Sequence, residues 1–97
     1  MRLVRTATYR ADLEAIVDYI AAENPGAALA IWDEIEGQVE RLAAYPHSGR
    51  IGRVEGTREL VVNRTPYIVG YTVRGDDVVI ILRVLHGARK WPDKIDE

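Results

Sequence analysis

The basic side chains Arg50, Arg53, Arg58, Arg64, Arg83, Arg89 and Lys90 all fall in the second half of this chain. Guanidinium forks bind phosphate and carboxylate alike, often through two parallel N–H donors. Tyr67, Tyr71 and Trp91 stand among them and offer aromatic surface. These residue types suit RNA, DNA or an acidic protein segment, and alone they do not choose among the three. Arg83, His86 and Arg89 are the candidates for catalysis. An imidazole can move a proton near neutral pH, and arginines can hold a developing negative charge.

Other chemistries have little to stand on. Ser48 is the single serine and has no nucleophile-elbow context. There are no cysteines, which removes disulfides, thiolate catalysis and cysteine metal sites together. The two histidines are far apart, and His47, following Pro46 in a loop, reads as solvent-facing. No metal site, nucleotide-phosphate loop or cofactor is therefore expected. No apolar run approaches the ~20 residues of a membrane span. Arg2 and Arg5 interrupt any signal-peptide core at the start.

The elements that must position these groups can be read from spacing. With 97 residues, 47% of them hydrophobic, residues 1–97 are expected to form one domain with one modest core. Leu3–Thr6 can pair as an edge strand. Tyr9, Leu13, Ile16, Val17 and Ile20 recur at helical spacing, with Asp12, Glu14 and Asp18 off the stripe. Asp12 and Glu14 would suit the helix dipole in the first turns. Asn24-Pro25 reads as a cap followed by a first-turn proline. Ala28, Ile31, Ile35, Val39 and Leu42 then form a second stripe, with Trp32 beside it, stopped by Tyr45-Pro46.

Pro46–Arg53 is expected as a loop. Arg58–Asn63, Tyr67–Val73 and Val78–Leu85 are expected as strands, the last two joined by a hairpin turn at Arg74-Gly75-Asp76-Asp77. The result is an α+β fold of order β-α-α-β-β-β, with a helical hairpin packed on one face of a small, mostly antiparallel sheet.

Val78–Leu85 is the most apolar run and reads as a buried central strand. Alternation puts Val78, Ile80, Leu82, Val84 and His86 in one row, expected to face the helices. Val79, Ile81, Arg83 and Leu85 form the other. Arg83 must be paired or reach water, and Glu59 on a neighbouring strand is one candidate partner.

The net charge of −2 hides a division. Residues 11–44 carry eight acidic and one basic side chain, whereas residues 46–91 carry eight basic and four acidic. Such segregation can orient a protein towards a polyanion or an acidic partner. With a pI near 5.7 the whole chain does not read as a general nucleic-acid binder.

Five stretches now gain meaning together: ADLEAIVDYIAAENPGAA (Ala11–Ala28), YPHSGRIGR (Tyr45–Arg53), GTREL (Gly56–Leu60), PYIVGYTV (Pro66–Val73) and ILRVLHGARKWP (Ile81–Pro92). Their order and spacing resemble the ParE/RelE superfamily of toxins from bacterial type II toxin–antitoxin modules, over nearly the whole chain. The resemblance implies a cytoplasmic poison, held as a hetero-oligomer by a small ParD- or RelB-like antitoxin whose C-terminal segment wraps over it. That antitoxin would cover the basic half, Arg83 and Arg89 included, or lie along the helical hairpin. The partner-binding set is then Arg50, Arg53, Arg58, Arg64, Arg83, Arg89, Lys90 and Trp91.

Two activities divide the superfamily. ParE-like members inhibit DNA gyrase, and RelE-like members cut mRNA on the ribosome. RelE-like members commonly carry an arginine right after the aromatic position of the strand matching Tyr67–Val73, where this chain has Ile68. They also use a basic or tyrosine-bearing C-terminal end. Here Arg89, Lys90 and Trp91 are followed by a tail, PDKIDE, without tyrosine. These departures and the long acidic hairpin favour the gyrase inhibitor. Ribosome-dependent mRNA cleavage is the alternative.

Overall fold

A computed structural model describes residues 1–95. Strand β1 is Arg2–Arg5, helix α1 is Ala7–Ala21 and helix α2 is Pro25–Glu40, continued by a 3-10 turn at Arg41–Ala43. Strands β2 (Arg50–Ile51), β3 (Arg58–Val61), β4 (Tyr67–Arg74) and β5 (Val78–His86) follow. The sheet order is β1-β5-β4-β3-β2. All pairings are antiparallel except β1 with β5, which run parallel; the helical hairpin leads from β1 to β2 at the far edge of the sheet. The expected α+β fold is present, with one strand more than the sequence suggested. β2 lies within the stretch read as a loop. It is only two residues long, too short to show an alternating pattern.

Both helices begin at side-chain caps. Thr6 accepts the Tyr9 N–H at 3.1 Å, and Asn24 accepts the Ala27 N–H at 3.0 Å ahead of Pro25. The first cap starts α1 at Ala7, earlier than the apolar stripe alone implied. The first turn therefore holds no acidic residue, and Asp12 does not serve the dipole as expected.

The two helical stripes meet one sheet face. Tyr9, Leu13, Ile35, Val39 and Leu42 join Val62, Val69, Tyr71, Val79, Ile81 and Val84 in the main core, and each is no more than 2% exposed. Gln38 anchors the turn between β3 and β4. Its amide donates to the Asn63 carbonyl and accepts the Asn63 N–H, at 3.1 and 2.9 Å. No helix of the described residues is long and apolar enough to cross a membrane.

The expected facing of β5 is corrected. Val79 and Ile81, not Val78 and Ile80, join the helix-side core. The β4–β5 register then slips: Tyr71 stands opposite Ile81 and Gly70 opposite Arg83, leaving Leu82 without an opposite residue. One extra residue inverts the alternation beyond it. Val84 therefore returns to the helix side, while Leu85 joins Ile68, Trp91 and Ile95 in a second, smaller cluster.

Candidate functional site on the second face of the sheet

Glu59 organises this face. It lies on β3 opposite Gly70 and is 2% exposed. Its Oε1 accepts from Arg50 Nε and Nη2 at 3.1 and 2.9 Å. Its Oε2 accepts from the Arg53 backbone N–H and Nε, both at 2.9 Å. Burial pushes the Glu59 carboxyl up, but the hydrogen bonds from Arg53, its backbone N–H and Arg50 outweigh that. The group stays below the usual carboxylate range. Two guanidiniums share one carboxylate, so the cluster keeps a net positive charge. Arg50 and Arg53 remain accessible, their side chains 55% and 40% exposed.

Trp91 completes the arrangement. After β5 the chain turns at Gly87, whose N–H donates to the Pro66 carbonyl at 2.8 Å. Trp91 then packs against β4 at Gly70, where any Cβ would stand 3.0 Å from the indole ring. The Arg53 guanidinium sits 4.8 Å from the ring centroid, within cation–π range. Trp91 is 6% exposed. It was expected as aromatic surface and instead closes a small core. Tyr71, also expected as surface, is fully buried on the helix side. Its hydroxyl donates to the Pro46 carbonyl at 2.8 Å and accepts the Gly49 N–H at 2.9 Å.

Arg83 is paired, but not with Glu59. Its Nε and Nη2 reach the two oxygens of Asp12 on α1, at 2.7 and 3.0 Å. Asp12 also accepts the Val84 N–H at 3.1 Å. The cause is the length of β1, which pairs with β5 only as far as Ile81. Beyond that point the outer edge of β5 takes its partners from Thr6, whose hydroxyl reaches the Ile81 and Leu82 carbonyls, and from Asp12. The Asp12 hydrogen bond raises the Arg83 pKa further, fixing it as a cation.

His86 is exposed, and its Nδ1 accepts the Ala88 N–H at 3.0 Å. The neutral ring therefore carries its proton on Nε2. Tyr67 meets the ring edge-on, with centroids 5.8 Å apart. Both line an open depression of about 240 Å³ between α1 and the end of β5, together with Asp12, Tyr19 and Arg89. His86 and Arg89 are thus brought together. Arg83 faces Asp12 and shares no hydrogen bond with His86.

The remaining basic residues do not join either group. Arg58 holds the preceding loop through the carbonyls of Gly49 and His47, at 2.8 and 3.4 Å. Arg64, at φ 67°, pairs with Glu34 on α2 at 3.0 Å. Lys90 is exposed. What reading the sequence missed is Asp12 as the partner of Arg83, Glu59 as the shared anion, and Gly70 as the seat of Trp91. A glycine inside a strand pattern was the available signal for the last.

Comparison with known proteins adds the relationship. Residues 3–91 match the family described as the ParE toxin of type II toxin–antitoxin systems, parDE. The chain is 44% identical over 80 residues to Y4kP of Sinorhizobium fredii, covering 82% of this chain and 81% of that one. It is 42% identical over 79 residues to toxin RelE2 of Caulobacter vibrioides, covering 81% and 86%. A chain in the structure of a chromosomal ParDE system from P. aeruginosa superposes with a TM-score of 0.80 at 34% identity, covering 89% of this chain and 95% of that one.

Proposed function

This chain belongs to the ParE toxin family of type II toxin–antitoxin systems, and from that membership we propose that it poisons DNA gyrase by binding it. The observation that carries this reading is the state of the second sheet face. Where RelE-like members commonly hold an arginine, Ile68 is 7% exposed and packed with Leu85 and Trp91. Arg83 is engaged by Asp12. Cleaving RNA requires cations placed to receive the charge that develops on the scissile phosphate. With apolar side chains filling the Ile68 end of this face and Arg83 already paired, the arrangement suits contact with a protein better than that chemistry.

On this reading residues 1–97 act as one cytoplasmic domain, without a cofactor, held inactive by an antitoxin of the ParD kind. The structure of a ParDE system as a relative supports such a partner. The test is a supercoiling assay with purified toxin and gyrase. Loss of supercoiling with accumulation of cleaved DNA is expected, and normal supercoiling without cleaved DNA would refute the proposal.

Two observations favour the alternative, a ribosome-dependent mRNA nuclease. His86, Tyr67 and Arg89 share a single open depression, and a relative carries the name RelE2. Primer extension on cellular mRNA after induction separates the two readings. Fresh cuts within translated codons, lost in a folded Arg89→Ala variant, would replace the gyrase reading with this one.

A further inference from the structure

The stretch that crosses the second face after β5 is attached in an unusual way. The last backbone hydrogen bond that ties it down is from the Arg89 N–H to the His86 carbonyl, at 3.0 Å. Beyond Arg89, no backbone hydrogen bond joins the described residues 90–95 to the sheet. What holds them is side-chain contact. Trp91 and Ile95 pack on Ile68 and Leu85, Trp91 rests on Gly70, and Arg53 stacks on the indole.

The anchor also carries a defect. Trp91 Nε1 is buried without a hydrogen-bond partner. An indole N–H withdrawn from water with no acceptor forfeits hydrogen-bond energy that the open state regains. Segments with few hydrogen bonds and a small apolar footprint open separately from the body of a protein. The cluster beneath is separate from the main core, so lifting the segment leaves the helix–sheet packing intact.

We propose that residues 90–95 form a releasable strap over the second sheet face, with Arg53 and Gly70 as its latch and Trp91 as its bolt. Closed, the face presents Arg50 and Arg53 around a sealed ring. Open, it bares an apolar slot floored by Gly70 and walled by Ile68 and Leu85. Glu59 controls the latch because it holds Arg53 through the backbone N–H and Nε. The inference does not depend on whether gyrase or mRNA is the target.

The test is hydrogen exchange of the Trp91 indole N–H, followed by NMR in the full chain beside the slowest backbone amides of β4 and β5. A strap that lifts alone gives indole exchange at least about tenfold faster than those amides, with a rate little changed by low urea. Arg53→Gln, which removes the stacked cation without crowding, should raise the indole rate several-fold more than the slowest strand amides, whose own rise reports the loss of side-chain hydrogen bonds to Glu59. Gly70→Ala should do the same by pushing the ring off its seat. Indole exchange at the rate of the strand amides, in wild type and in Arg53→Gln, overturns the strap. Fast exchange that neither variant alters overturns the latch.

Discussion

A carboxylate as buried as Glu59 keeps its charge through five hydrogen bonds from two arginines. Its folded-state pKa lies below the ordinary value of 4.5. The ionised form therefore stabilises the fold fully above about pH 4.5, and that contribution is lost as the pH falls through the lower folded value. Glu59→Gln removes the charge and should be less stable than wild type at pH 7. The gap between the two proteins, measured by urea unfolding, should narrow as the pH drops below 4.5. A gap that stays constant down to pH 3 would contradict this account. Arg50 and Arg53 were both legible as basic residues near a sheet. Their shared dependence on Glu59 was not, because β2 is too short to announce its register with β3.

At the scale of elements, the controlling fact is that β1 is shorter than β5. The uncovered end of β5 would leave the Val84 N–H and the Arg83 guanidinium without partners, and Asp12 on α1 answers both. Asp12→Ala should destabilise the fold by about 2 kcal/mol, because it strips a partly buried cation and a buried N–H at once. A downward shift of the urea midpoint would show it, and a midpoint within error of wild type would rule the role out. Both helices, the hairpin turn and four of the five described strands were legible from apolar spacing and turn residues. The facing of β5 was not. Alternation predicts it only while the pairing is regular, and one unmatched residue at Leu82 reverses it.

At the scale of the molecule, the sheet divides the charge. The acidic hairpin packs on one face, and the Arg50–Glu59–Arg53 cluster looks out from the other. A type II toxin with such a divided surface should arrest growth when induced alone. Co-expression of the product of the neighbouring reading frame should restore growth, as read by colony counts. Growth unaffected by induction would mean that this copy is not a working toxin.

The sequence alone determined the fold class, the two helical stripes and the family resemblance, because these rest on local periodicity and on the order of short motifs. It also marked which half of the chain holds the cations. Only the tertiary structure decided which cations are spent. Arg83 goes to Asp12, Arg64 to Glu34, and Arg50 and Arg53 to one carboxylate. It also decided that Trp91 is buried. The physical reason is common to all of these. Pairing and burial depend on which groups meet across separations of up to 71 residues, and no spacing rule along the chain encodes that meeting.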